Sequence, residues 1–201
     1  MAVKDSVTEA QIKEAAKKLF FREGRFKATT QEIADAAGVN RTLVNYYFRS
    51  RDQLFDQVLK DARDSVDSRM NKSMETAKSF REKLELFIDF FLEQSFNYPY
   101  LDLYMLSRIN DDVDKQNEII SNLKKTERLK HFLKDIEDEM KKGTIETMPP
   151  VQFFFNLMSL LTYPMIMQSL FKKILNYSDK QYRQLMMERR ELILKILLRK
   201  G

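Results

Sequence analysis

The chain has 201 residues, 43% of them hydrophobic, a net charge of +5 and no cysteine. That length suits one large domain, or a small domain beside a medium one, with a core that needs no disulfide or metal. The lack of cysteine excludes a disulfide scaffold, a thiolate zinc site and a cysteine nucleophile. No tripartite leader opens the chain, and no run of about 18 uninterrupted apolar residues occurs. The nearest, 151–161, is broken by Gln152, Asn156 and Ser159, so a soluble protein with no membrane partner is expected, in a reducing cytoplasm. Residues 1–51 carry ten Lys/Arg against six Asp/Glu, so +4 of the net +5 sits in the first quarter of the chain. Basic charge so placed suits phosphate binding, though an ordinary solvated surface carries as much.

Residues 8–23 predict a first helix, with Ile12, Ala15, Ala16, Leu19 and Phe20 as its apolar stripe and Gly24 as its stop. After a connector at 25–28, Thr29 and Glu32 form a capping-box pair that opens a short helix over 30–37. Ala34 permits a close helix crossing, Gly38 allows the chain to reverse, and Asn40 caps a second short helix over 41–47. Val44 is the apolar residue of that helix that faces back toward Ile33 and Ala34. A small residue, a turn and a plug at this spacing are the mechanics of a helix-turn-helix.

The run GVNRTLVNYYFRSRDQLF, with its YYF, Arg49, the cap Ser50 and Arg51, resembles the DNA-binding domain of TetR-type transcriptional repressors over roughly residues 8–60. Beyond that the likeness is one of length and helical pattern only. Two positions depart from the family: Leu43 stands where a smaller residue such as Thr is common, and Asn45 where an aromatic is frequent. Both lie on the face that would read bases, so the departures bear on the operator sequence.

On that face Arg41, Thr42, Leu43, Asn45 and Tyr46 are the candidate base-reading residues. Arginine suits guanine, asparagine suits adenine, and Leu or Thr can touch a thymine methyl. Thr29 and Thr30, at a helix N-terminus, suit a phosphate. The resemblance adds Tyr47 and Arg51 as backbone contacts, with Arg49 beside them.

Ser50 with Gln53 opens a long helix over about 51–72, apolar at Leu54, Phe55, Val58 and Leu59 and polar beyond Asp61. This reads as a connecting rod, with residues 1–60 as the DNA-binding domain and 61–201 as a helical second domain. Ser79 with Glu82 starts the next helix, which ends near Tyr98-Pro99. A short apolar helix over 100–109, a loop at 110–114 and a longer helix over 115–141, stopped by Gly143, follow. Residues 151–175 are apolar on nearly every side and should be covered on all sides, with a kink at Pro164. Ser178 with Gln181 caps a last helix. No strand pattern appears. The expected fold is all-α: a three-helix N-terminal helix-turn-helix domain plus a larger C-terminal helical domain for ligand binding and dimerisation, about nine helices in all.

Catalysis finds little support. His131 is the only histidine, no glycine run could cradle phosphates, and the Glu pairs read as solvated helix faces, so no catalytic residue, cofactor or metal ligand is assigned. The aromatic and Met residues of 80–171 are mostly core, but the family resemblance implies an effector pocket among them. Phe87, Phe91, Tyr104, Phe132, Phe154 and Met158 are its candidate walls, with Asn97, Arg108 or His131 as polar partners. Leu185, Met186, Leu192, Ile193 and Ile196 are candidate dimer contacts, rimmed by Glu188, Arg189, Arg190 and Glu191. The function expected is a cytoplasmic, nucleoid-associated homodimeric repressor that binds double-stranded operator DNA and is released by a small, mostly apolar effector. A ligand-independent architectural or division-control DNA binder, or a non-DNA helical interaction or lipid-carrier protein, are the alternatives.

Overall fold

A computed structural model describes residues 2–104, 106, 117, 121 and 127–198, and every described element is helical. The helices are α1 (Ala2–Lys17), a π-helical turn (Lys18–Arg22), α2 (Thr30–Ala37), α3 (Arg41–Phe48), α4 (Arg51–Thr76), α5 (Phe80–Asn97), α6 (Arg128–Lys141), α7 (Pro150–Ile166), α8 (Gln168–Ile174) and α9 (Asp179–Leu197). Two compact units result: Met1–Arg69 with Asn97–Leu101, and Met70–Phe96 with Asp102–Gly201. Arg108, the loop at 110–114, and the apolar positions Ile119, Ile120 and Leu123 expected on a long helix lie outside the described residues.

In the first unit the opening helix does not run unbroken to residue 23. After Lys17 it widens, and the Glu23 N–H donates to the Lys18 carbonyl, five residues back. In this wider turn three consecutive side chains, Leu19, Phe20 and Phe21, are all buried in the core. Phe20 and Phe21 meet Phe55 of α4 at ring separations of 4.6 and 5.6 Å. Leu54 and Val58 of α4 join them, as the apolar stripe predicts. The segment Asn97–Leu101 returns to this unit. The Tyr100 N–H donates to the Phe21 carbonyl at 3.1 Å, Tyr98 sets its ring edge-on to Phe21, and the Tyr100 ring lies so close to Gly24 that a Cβ there would meet it at 3.0 Å.

The second unit is built on Leu84, Ile88 and Leu92 of α5, Ile136 and Met140 of α6, Phe153, Leu157, Leu161 and Met165 of α7, and Tyr182, Met186, Ile193, Leu194 and Leu197 of α9. Helix α6 starts at Arg128, because Glu127 holds a left-handed φ of +49° that an α-helix cannot continue through. The expected helix over 115–141 is therefore interrupted. At its other end Gly143, with φ +68°, donates to the Met140 carbonyl while the Thr144 N–H reaches the Glu139 carbonyl, a glycine-based stop.

The apolar stretch expected as one kinked helix is two helices, α7 and α8, bent by 63° about Met167. Pro164 offers no N–H to the Leu160 carbonyl, and the helix ends two residues later, at Ile166. Both carbonyls of the bend are taken by α9: Arg189 Nε donates to Leu160 O at 3.0 Å and the Tyr182 hydroxyl donates to Pro164 O at 2.7 Å. No single described helix is long and apolar enough to cross a membrane.

Coverage of α7 is also narrower than expected. Phe153, Leu157, Leu161 and Met165 form its buried stripe, whereas Val151, Phe155 and Tyr163 face outward, the last two 53% and 58% exposed. On α9, Leu185, Leu192 and Ile196 face outward in the same way.

Candidate nucleic-acid interface

Helices α2 and α3 are set by their caps. Thr29 Oγ1 accepts from the Glu32 N–H at 3.2 Å, and the Glu32 carboxylate accepts from the Thr29 N–H at 2.7 Å, completing the capping box. Gly38 turns the chain at φ +67°, and the Val39 N–H returns to the Ala34 carbonyl. Asn40 Oδ1 then accepts from the Thr42 N–H at 2.8 Å and starts α3. Ile33, Ala34 and Val44 are all buried, so the small residue and its plug anchor the pair.

Helix α3 gives only Val44 and Phe48 to the core. Arg41, Thr42, Leu43, Asn45 and Tyr46 are all exposed, Tyr46 by 73%, and together they form one outward face. The sequence-predicted base-reading set is thereby gathered on one solvent-facing surface. Tyr47 is half-buried, its ring 5.2 Å from that of Tyr46.

The expected phosphate-binding residues divide. At Thr29 both the N–H and the hydroxyl are committed to Glu32, so its amide is not free for a phosphate, and Thr30 is the residue left at that helix start. The Glu32 carboxylate would repel a phosphate, but Arg25 pairs with it and offsets its charge. Hydrogen bonds from Thr29, with Arg25 beside them, hold the Glu32 carboxyl below the ordinary glutamate range. Arg25 carried no predicted role, and a single arginine in a connector gives no signal for one.

Arg49 is exposed and ends α3 at φ +53°, ψ −41°. The Ser50 N–H donates to the Phe48 carbonyl two residues back, closing a γ-turn of the strained hand with Arg49 at its centre. Arg51 does structural work as well: its Nε donates to the Ala28 carbonyl at 3.0 Å, its Nη1 meets Asp52 at 2.7 Å, and the guanidinium lies 5.5 Å from the Phe20 ring centre. It thus ties the start of α4 to the connector before α2.

In the second unit, ring contacts join Phe87, Phe132 and Phe154. Phe132 stacks on Phe87 at 6.0 Å and meets Phe154 edge-on at 6.3 Å. Phe91 and Met158 are half-buried and Tyr104 is buried. Of the proposed polar partners, His131 faces solvent and Asn97 groups with the first unit. Among the predicted dimer contacts, Met186 and Ile193 lie in the protomer's own core, because 3–4 spacing on α9 puts them on the face toward α7. Arg189 and Arg190 are not free rim charges either. Arg189 serves the Leu160 carbonyl, and Arg190 reaches Asp89 at 2.6 Å and Glu85 at 3.5 Å on α5. Among the described residues, no cluster of His, Asp and Glu could hold a metal ion.

Comparison with known proteins agrees with this geometry. The family model "Bacterial regulatory proteins, tetR family" matches residues 12–58. The "Probable HTH-type transcriptional regulator YttP" of Bacillus subtilis is 26% identical over 174 residues, covering 84% of this chain and 82% of that protein. The HTH-type transcriptional regulator QacR of Staphylococcus aureus is 26% identical over 108 residues, 50% of this chain and 57% of that one. Among solved structures, the ketosteroid transcriptional regulator KstR2 of Mycobacterium tuberculosis has the same fold, with a TM-score of 0.70, 14% identity and coverage of 96% of this chain and 95% of that chain. These relatives are transcription regulators rather than enzymes. Capped helix pair, outward α3 face and family match agree: residues 12–58 form a TetR-type DNA-binding domain, and over its length the chain is similar in sequence and fold to HTH-type transcriptional regulators.

Proposed function

We propose that this regulator is a homodimeric repressor whose two α3 helices read paired half-sites of operator DNA, and that a small, mostly apolar ligand releases it. Residues 1–60 supply the DNA-binding domain and 61–201 the effector-binding and dimerisation domain, working in the cytoplasm on nucleoid DNA. The observation that carries the reading is the pair of outward apolar stripes on α7 and α9. Phe155, Tyr163, Leu192 and Ile196 are each more than half exposed in a single protomer. Apolar surface of that kind on neighbouring helices favours burial against a second copy, two helices from each making a four-helix bundle on a two-fold axis. Two joined copies supply the second recognition helix that one module lacks.

An apolar effector fits the half-buried rings of Phe87, Phe91, Phe132 and Phe154. KstR2 is a ketosteroid regulator, which gives an apolar ligand class for that protein and supports the same class here. Operator-bound protein titrated with an apolar compound library tests the reading. Release from the specific site at unchanged non-specific affinity is expected; a protein whose DNA affinity no apolar or amphipathic compound alters is not governed by such an effector.

A further inference from the structure

Resting on the effector reading above, we infer that Gln94 is a ligand-recognising residue of the second unit, and that its side-chain oxygen selects effectors presenting a neutral hydrogen-bond donor, a hydroxyl or N–H, on an apolar body. Gln94 Oε1 is the one buried side-chain oxygen or nitrogen among the described residues with no hydrogen-bond partner. A buried acceptor left unpaired is costly, and native proteins pair the great majority of such atoms.

Its position says what would pair it. On α5, Leu84, Ile88, Leu92 and Ser95 form the stripe sunk in the core. Gln94 lies off that stripe. Seven residues at the helical repeat bring it to within about 20° of Phe87, roughly 10 Å further along the axis, and Phe91 stands between them. Phe87, Phe91 and Gln94 therefore share one half-buried ribbon of α5, two rings followed by one amide. The Phe132 ring stacks on the Phe87 end of this ribbon. A molecule lying along it would meet apolar surface over most of its length and a single acceptor at one end.

The chemistry of that acceptor is selective. An amide oxygen accepts and is uncharged, so it rewards a hydroxyl or N–H and offers nothing to an ether or ketone oxygen. It also gives a carboxylate or ammonium no counter-charge, and burying such an ion unpaired is far more costly than burying an alcohol. The sequence held no signal for this residue, because one glutamine in an apolar helix reads as a surface position.

The test compares decanol, octyl ethyl ether and methyl octyl ketone, three probes with equal numbers of heavy atoms, on the full-length wild type and on Gln94→Met, a substitution close in volume. Without any probe, Gln94→Met should melt at the same temperature as wild type or higher, since it removes an unpaired acceptor. Wild type should bind decanol roughly fivefold tighter than the ether or the ketone, the fold-change of one net hydrogen bond. Gln94→Met should bind all three alike. If Gln94→Met melts lower than wild type, the oxygen is satisfied inside the protein and the proposal is overturned. If all three probes bind both proteins equally, or the ketone matches decanol on wild type, the apolar effector reading stands and the role of Gln94 falls. If no probe binds either protein, the apolar effector itself is contradicted and this inference goes with it.

Discussion

Arg189 donates its Nε–H to the carbonyl of Leu160 at 3.0 Å, the acceptor that Pro164, four residues on, leaves without a helical partner. Tyr182 serves the carbonyl of Pro164 itself. The bend between α7 and α8 is thus held by side chains of α9, which also presents Leu192 and Ile196 outward. Arg189→Met should destabilise the protein by about 1–3 kcal/mol, because a partly buried carbonyl is left unpaired. Tyr182→Phe should cost less, about 0.5–1.5 kcal/mol. In a Pro164→Ala background the helix regains the missing N–H, so the cost of Arg189→Met should shrink. Chemical denaturation of the four-member cycle measures that coupling, and additive costs would separate Arg189 from the bend.

Arg49 pairs a strained backbone with a side chain suited to phosphate. Arg49→Gly should relieve the positive φ and stabilise the fold by about 1–2 kcal/mol. It should also weaken DNA binding on every sequence alike and lower the salt slope by about one unit. Thermal melts and binding at several salt concentrations read both effects. Arg51→Ala should differ, losing stability as well as affinity, since it leaves the Ala28 carbonyl without its donor.

Much of this architecture is legible in the sequence where a local rule acts alone. Thr29 with Glu32 and Ser178 with Gln181 are capping boxes in sequence and in structure. Gly38 and Gly143 take the positive φ that a turn requires. Legibility fails where tertiary packing decides. Nothing at Glu127 announces a left-handed residue, so the helix break before Arg128 is hidden. Tyr98-Pro99 reads as a helix stop, and only the fold shows the chain returning there to Phe21 and Gly24. At the site, periodicity picks out the outward face of α3. The same periodicity on α9 cannot tell which of two adjacent stripes, Met186 and Ile193 or Leu192 and Ile196, is core.

Glu32 links the DNA-binding unit to pH. Its folded carboxyl titrates below the ordinary glutamate range, chiefly because it accepts the Thr29 backbone N–H. The ionised form is therefore favoured by folding, and its contribution is present above the unfolded pKa and lost as pH falls through the folded one. Glu32→Gln keeps a capping side chain but removes this term. Its stability relative to wild type should thus improve as the medium is acidified. The variant should also bind DNA with a higher non-specific affinity at neutral pH, because one negative charge beside the phosphate-facing helix start is gone. An identical pH dependence in the two proteins would contradict the assignment.

The division of α9 into two stripes gives opposite outcomes for similar substitutions. Leu192→Glu and Ile196→Glu place charges on the exposed stripe and should yield helical monomers with native-like melting in the monomer and weak operator binding. Met186→Glu and Ile193→Glu bury a charge in the protomer core and should unfold it. Sedimentation velocity with circular dichroism separates the two classes. Wild type that sediments as a monomer at micromolar concentration would remove the bundle.

The most direct test of the central claim, that paired α3 helices read operator DNA, is selection of bound sequences from a random duplex pool with wild type, Arg41→Ala and Asn45→Ala. The account predicts a two-fold symmetric site whose half-sites lie about 34–36 Å apart or at a multiple of that spacing. It also predicts that each variant relaxes a base position within both halves, at a cost of about 1–3 kcal/mol on the specific site, while weak non-specific binding persists. A pool with no enriched sequence, a single unpaired half-site, or an enriched site unchanged in both variants would contradict it.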